Sequence, residues 1–310
     1  YVQDLVPEGQ VIKEYGKNIL SRRRINRGDV DAAFAECDVV IEREFTTPFI
    51  EHGYLEPEAC LTHLEDDPEG GGHILVVECA GQNVFSDQSQ LCAALQWETG
   101  RVRVVMPKCG GAFGGKEDVV PQIICALLTV KTGRPVKYVL DREESLLAST
   151  KRHPFISRVK AGATRDGRIV AVDALHISDT GAYASVGDIV ITRAATHAAG
   201  PYEVDNVRVD VIGVYTNNPV GGAMRGFGTP QAAYPIEVVL DQVAEALDMD
   251  PIDLRLRNEP EKDPQQDVPF SSRKLLECID VGANRFGWAD RPKTPGSRRD
   301  RAEIAPRSRR

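Results

Sequence analysis

The pattern of apolar and polar positions divides the chain into alternating stretches and stretches with helical spacing. Alternation with a period of two indicates half-buried strands, whereas apolar residues three and four positions apart indicate amphipathic helices. The alternating stretches predict strands at 39–45, 59–64, 73–79, 101–106, 136–140, 156–163, 168–177 and 207–215. The other apolar runs predict helices at 29–37, 86–97, 119–130, 141–149, 229–248 and 272–288, with a further short helix from Pro251.

Start and stop signals sharpen several of these elements. Ser86 is a candidate N-cap for the helix at 86–97, and Gly133 is a candidate C-cap for the helix at 119–130. Asp166 and Gly167 join two alternating stretches and predict a hairpin. Helices and strands follow one another without a regular βαβ rhythm. The predicted fold class is therefore α+β rather than a doubly wound sheet.

A glycine-rich turn at 110–117 lies between a predicted strand and a predicted helix, and we name it the first glycine turn. Glycines let a ligand approach the main chain, and unpaired N–H groups at a helix N-terminus attract anions. The turn is thus a candidate anion cradle. The spacing from Gly110 to Lys116 resembles a phosphate-binding loop, but Glu117 stands where Ser or Thr would hold magnesium. A plain tight connection remains an equal alternative.

A second glycine turn, at 224–231, also follows a strand and opens a long helix. It carries Arg225 and Phe227 among glycines. Two such turns in one chain indicate one extended ligand that is approached by main chain from two sides. A lone Arg193 lies in a third segment of small and apolar residues, where a structural ion pair is the simpler interpretation.

Composition limits the class of protein. The chain has 310 residues and a net charge of −8, which gives no support for nucleic-acid binding, and it contains no apolar run long enough to span a membrane. Its seven cysteines form no C-x-x-C pair, which argues against zinc or iron–sulfur ligation and favours reduced thiols in a cytoplasmic protein. Residues 291–310 are strongly basic and are predicted to be a disordered tail.

Three separated motifs, at 51–58, 110–117 and 224–231, together resemble the xanthine dehydrogenase/aldehyde oxidase family of molybdenum hydroxylases. The resemblance covers roughly residues 24–258 and is to the first molybdopterin-binding domain of the large subunit. It implies an α+β molybdopterin-binding fold and an oxidoreductase that hydroxylates a purine-like heteroaromatic ring, with water as the oxygen source. An aldehyde oxidase-type enzyme and an inactive truncated remnant are the alternatives, and a P-loop nucleotide-binding protein is a third, which fits the residues least well.

The resemblance also implies roles for individual residues. Gln82 matches a glutamine whose amide hydrogen-bonds an oxygen ligand of molybdenum, and the main chain at Phe113 and Arg225 matches positions that approach the metal. Glu117 and Arg193 match a substrate-binding pair, and Phe227 matches a ring that sandwiches the substrate. The implied cofactor-binding residues are Gln82, Gly111, Phe113, Gly114, Gly115 and Arg225.

Other expectations concern what accompanies this chain. The resemblance implies a molybdenum–molybdopterin cofactor, expected in the cytosine dinucleotide form, and 2Fe-2S and FAD centres on partner chains or other segments. It places the catalytic base, a glutamate, in a C-terminal part that this sequence does not contain, so the chain alone is expected to be inactive. The predicted organisation is a connector at 1–23, the first molybdopterin-binding domain at 24–260, the start of a second at 261–290 and the basic tail at 291–310.

Overall fold

The computed structural model describes residues 18–68, 70–263 and 267–291. Two units are distinguished, residues 1–259 and 260–310. The strands are β1 (Ile19–Arg27), β2 (Val39–Thr47), β3 (Ala59–Asp66), β4 (His73–Cys79), β5 (Val102–Val105), β6 (Val136–Val139), β7 (Lys151–Arg152), β8 (Phe155–Ala163), β9 (Ile169–Gly181), β10 (Asn206–Tyr215) and β11 (Gly221–Gly222). The helices are α1 (Val30–Ala35), α2 (Val84–Leu95), α3 (Pro121–Thr132), α4 (Arg142–Ala148), α5 (Gly187–His197), α6 (Thr229–Leu247), α7 (Pro251–Arg257) and α8 (Leu275–Phe286).

A five-stranded mixed sheet forms the larger half of the first unit, in the order β1-β10-β9-β8-β2. Its strands pair antiparallel except for β9 and β10. One face packs against α5 and α6 over the largest core cluster. Ile236, Val239, Leu240 and Val243 of α6 are fully buried in this cluster, as their helical spacing predicts. Burial of each such side chain contributes roughly 1.5–3 kcal/mol.

A four-stranded sheet, in the order β5-β4-β3-β6, forms the other half of the unit. It packs against α2 and α3 over a second core cluster that includes Leu75, Leu91 and Cys125. The short parallel pair of β7 and β11 lies beside the region where the glycine turns meet. This mixture of helices with two mixed sheets is an α+β fold, as predicted.

Several predicted boundaries differ from the structure, and three of them are informative. The helix at 86–97 begins at Val84, because Asn83 rather than Ser86 is the N-cap, and its Oδ1 accepts from Ser86 N at 3.2 Å. Helix α3 begins at Pro121 rather than at 119, since proline suits the first helical turn. Residues 19–23 were predicted to belong to a connector, but they form part of β1 and pair with β10.

The second unit contains α8, whose predicted bounds were 272–288, and a single 3₁₀ turn at Trp288–Asp290. Helix α8 carries exposed Leu276, Val281 and Phe286. The predicted basic tail lies outside the described residues from position 292 onward, and so does the predicted connector at 1–17. No helix in the described residues is long and apolar enough to cross a membrane.

Candidate functional site

The two glycine turns meet through a main-chain hydrogen bond. Arg225 N donates to Phe113 O at 2.9 Å. Gly114, at φ +102°, packs so tightly that an added Cβ would lie 2.5 Å from Ala223 O. The structure therefore joins two segments that are more than a hundred positions apart in the sequence.

Each turn holds a phenylalanine in the left-handed backbone region. Phe113 has φ +54° and Phe227 has φ +51°. This conformation is uncommon for a bulky residue and persists only where the surrounding structure enforces it. Phe113 is 42% exposed, whereas Phe227 is half-buried and packs against the main core. Only Phe113 presents a largely open ring at this site.

Gln82 lies against the first glycine turn. Its Oε1 accepts from Gly114 N at 2.9 Å and from Lys116 N at 3.3 Å, and its Nε2 donates to Glu117 Oε1 at 3.2 Å. These contacts fix which end of the amide faces the turn. The second N–H of Nε2 remains available to another acceptor.

Glu117 places a carboxyl group beside Gln82, and Asp118 follows it in the chain. Burial raises the pKa of Glu117, and the Asp118 charge raises it further. Ser185, just before α5, donates to Asp118 at 2.8 Å. A carboxyl with a raised pKa can donate a hydrogen bond when it is protonated.

Arg193 lies on α5 with its side chain exposed. Helix α5 packs against the second glycine turn, where a Cβ on Gly228 would lie 2.3 Å from Val190 O. The guanidinium makes no ion pair or side-chain hydrogen bond within the described residues. The structure thus brings the helix that carries Arg193 to the second glycine turn, but it does not pair Arg193 with Glu117.

The predicted anion cradle does not extend over the whole first glycine turn, because several of its N–H groups are already bonded within the chain. The N–H groups of Gly114 and Lys116 bond to Gln82, and that of Gly110 bonds to Glu56 Oε2 at 2.6 Å. Gly115 N donates to Ala112 O. Helix α3 begins only at Pro121, so its N-terminus does not lie at the turn. The glycines serve close packing instead.

Gly115 illustrates this packing. A Cβ added to Gly115 would lie 2.6 Å from Tyr54 Cε1 and 2.8 Å from His52 Nδ1. These side chains, and not a ligand, occupy the space beside the glycine. His52 Nε2 is 2.6 Å from Ala223 O and donates to it. Burial lowers the pKa of His52, which keeps the ring neutral. His52 is therefore a support between the turns.

The apex of the first glycine turn still suits an anionic, bulky cofactor. Gly111, Ala112 and Phe113 are three successive residues whose N–H groups make no hydrogen bond to the described part of the chain. Successive N–H groups around a left-handed residue form an anion-binding concavity. The guanidinium of Arg225 lies 5.1 Å from the Phe113 ring centre and adds a cation. Both main-chain groups of Arg225 are occupied, since its carbonyl accepts from Arg152 Nη2 at 2.8 Å.

Within the described residues, no group of three or more His, Cys, Asp and Glu side chains is placed to hold a metal ion. The sequence analysis missed Arg152, which supports the second turn from the buried interior, because nothing in its local sequence marks that role.

Comparison with known proteins defines the class. Residues 11–259 match the molybdopterin cofactor-binding domain, and the chain belongs to this family. The nicotinate dehydrogenase large molybdopterin subunit of Eubacterium barkeri is 47% identical over 241 residues, which are 78% of this chain and 56% of that protein. A probable xanthine dehydrogenase subunit of Bacillus subtilis is 39% identical over 254 residues, 82% of this chain and 33% of that protein.

A solved structure agrees with these relatives. The aldehyde oxidoreductase from Desulfovibrio gigas superimposes with a TM-score of 0.85 at 26% identity, over 92% of this chain and 31% of that chain. The predicted relationship to the large subunits of molybdenum hydroxylases is confirmed. The chain spans about half or less of the length of these relatives.

Proposed function

We propose that this chain is the molybdenum cofactor-binding part of an oxidoreductase that hydroxylates an electron-poor, purine-like nitrogen heteroaromatic ring, with water as the oxygen source. One observation carries the proposal. The hydrogen bond from Arg225 N to Phe113 O joins the two glycine turns, and the Gln82 amide is fixed against the first of them. This arrangement leaves one amide donor, a free N–H apex and an exposed cation around a single surface.

Different residues of the chain are proposed to bind different parts of the cofactor. Gln82 Nε2 donates toward an oxygen of the cofactor, and the 111–113 apex with Arg225 binds its anionic groups. Gly114 and Gly115 keep the turns packed close enough for that contact. When bound, the molybdenum cofactor supplies a two-electron acceptor and activates water as the oxygen source.

Substrate recognition falls to the charged and aromatic groups nearby. Glu117, with its raised pKa, donates to or accepts from a ring nitrogen, and Arg193 stabilises negative charge that develops on the heterocycle. Phe227 is the proposed aromatic contact of the substrate ring, through the part of its side chain that is not packed against the core. The names of two relatives support a nitrogen heteroaromatic substrate, because nicotinate contains a pyridine ring and xanthine is a purine.

The P-loop alternative is disfavoured by the position of Lys116. Its side chain is only 2% exposed and its ammonium group is bound to Glu56, so it does not reach out toward a nucleotide phosphate. An aldehyde substrate is the competing proposal, since an aldehyde oxidase is also among the relatives.

We further infer what surrounds this chain in the assembled enzyme. The catalytic base is a glutamate outside residues 1–310, the pterin carries a cytosine dinucleotide, and iron–sulfur and FAD centres lie on partner chains or other segments. Residues 24–260 are the first molybdopterin-binding domain and residues 261–290 begin the second. The enzyme is cytoplasmic, and the isolated chain does not turn over. The partial coverage of the relatives supports the inference that further segments or chains complete the enzyme.

Replacing Arg193 tests the substrate assignment. In the assembled enzyme, Arg193→Met should lower kcat/KM for xanthine or nicotinate by about a hundred- to a thousand-fold, the usual loss for a charged donor at a developing anion. Oxidation of a small aldehyde should be unchanged or faster. The exposed Arg43 provides the control, because Arg43→Met removes a guanidinium from strand β2. Heteroaromatic turnover within a few-fold of the parent would reject the assignment.

A further inference from the structure

Lys116 is a buried lysine at the end of the first glycine turn. Its side chain is 2% exposed, and its ammonium group lies 3.1 Å from Glu56 Oε2 and 4.9 Å from the centre of the Tyr54 ring. A buried ammonium group is costly unless it is paired, so this contact fixes where the lysine can lie. A phosphate-binding loop would present this lysine to its ligand, whereas here the side chain points into the protein.

The same Glu56 oxygen binds the other end of the turn. Gly110 N donates to Glu56 Oε2 at 2.6 Å, and Glu56 N donates in return to Gly110 O at 3.4 Å. A single carboxylate therefore closes the turn from its first residue to Lys116. Partial burial raises the pKa of Glu56, but the Gly110 and Lys116 contacts outweigh it and hold the pKa below its usual value.

The segment that carries Glu56 is itself fixed. Arg142 Nη2 donates to Tyr54 O at 2.6 Å and to Leu55 O at 3.0 Å. Tyr54 is 1% exposed, and its hydroxyl donates to the buried carboxylate of Glu58. Glu56 is thus held on a rigid support beneath the turn.

The closed turn contacts Gln82 through its main-chain N–H groups. Lys116 N and Gly114 N both donate to Gln82 Oε1, which leaves Nε2 facing Glu117 and the cofactor side. We propose that Glu56 and Lys116 are positioning residues whose ion pair holds the first glycine turn closed and so orients the Gln82 donor. This inference rests on the proposed function of Gln82, but the closure itself concerns only residues of this chain.

The test uses Glu56→Gln and Lys116→Met in the assembled enzyme. Glu65→Gln is the matched control, because Glu65 pairs with Arg103 on an exposed part of the smaller sheet. Hydrogen exchange of the 110–116 amides, molybdenum content, and kcat and KM per bound molybdenum are measured in each. We expect exchange at least tenfold faster and kcat per molybdenum at least tenfold lower in both variants. The KM should stay within about twofold, because neither residue is placed on substrate.

The outcomes separate this inference from the proposed function. A merely structural ion pair would lower the fraction of loaded enzyme and leave kcat per molybdenum unchanged, which would overturn the positioning role. Unchanged exchange of the 110–116 amides in both variants would overturn the closure. A parent enzyme without molybdenum would reject the proposed function, while the exchange result would still decide whether the ion pair closes the turn.

Discussion

At the scale of single residues, Asp87 is a buried carboxyl that the sequence did not single out. It lies on α2 and is 1% exposed. Its Oδ2 accepts from Cys79 Sγ at 3.6 Å, and its Oδ1 has no hydrogen-bond partner among the described residues. Burial raises the pKa of Asp87 to about 6, and the Glu117 charge adds to this effect. The carboxyl is therefore favoured in its protonated form inside the fold.

This raised pKa predicts a pH dependence of stability. The pKa of Asp87 is higher in the folded chain than in the unfolded chain. Its burial therefore does not lower the free energy of unfolding below about pH 4, where the carboxyl is protonated in both states, and stability is lost as pH rises through 6. The free energy of unfolding should fall by about 2 kcal/mol between pH 4 and pH 7 from this residue, after allowance for solvent screening. Asp87→Asn should remove that fall. Urea unfolding at several pH values measures it.

The exposed Asp253 of α7 supplies the comparison for this measurement. Asp253→Asn should leave the pH slope as in the parent chain. If Asp87→Asn leaves the pH dependence of the free energy of unfolding as in the parent, then Asp87 is ionised in the folded chain throughout this range and the prediction is wrong.

Most residues of the candidate site could be named from the sequence, but the hydrogen bonds and packing contacts among them could not. Phe113 and Arg225 lie in the motifs and Gln82 followed from the family resemblance, and the structure brings the three together. The burial of Lys116 could not be inferred from the sequence, because it depends on partners such as Tyr54, which are distant in the sequence. Whether Arg193 and Glu117 share one substrate stays a prediction.

At the scale of elements, helix starts were the least predictable features. Both Asn83 and Ser86 are good N-cap residues, and only the backbone of Asn83, at φ −147° and ψ 95°, is extended as a cap requires. Local composition did not distinguish them. In contrast, Gly133 ends α3 with φ +66°, as predicted, because a left-handed C-cap strongly favours glycine.

The cap assignment predicts an asymmetric mutational effect. Asn83→Ala should lower the free energy of unfolding by about 1 kcal/mol, because Ser86 N loses its acceptor. Ser86→Ala should cost less than about 0.5 kcal/mol, since Ser86 lies inside the helix. Urea unfolding of both variants gives the comparison. An equal or larger loss in Ser86→Ala would contradict the cap assignment.

At the scale of the whole molecule, the order of elements predicted the α+β class, but the order of strands in each sheet could not be inferred. Strand β1 was missed because its sequence is polar on both faces. Arg22 and Arg24 pair with Asp210 on one face, while Arg23 pairs with Asp188. An edge strand that uses ion pairs instead of apolar alternation leaves little periodic signal.

The central claim is that the two glycine turns form one cofactor-binding surface. A Cβ added to Gly114 would lie 2.5 Å from Ala223 O and 2.9 Å from Met224 Cα, so a methyl group there should force the turns apart. Gly133 provides a matched control, because it also has a positive φ but has no atom within 4 Å of an added Cβ. Both variants carry the backbone cost of an alanine at positive φ, roughly 1–3 kcal/mol.

The most direct measurement is the molybdenum content of the assembled enzyme in the parent, Gly114→Ala and Gly133→Ala forms. The account predicts close to one molybdenum per chain in the parent and in Gly133→Ala, and at least a fivefold loss in Gly114→Ala with the fold retained by circular dichroism. Full molybdenum content in Gly114→Ala would contradict it.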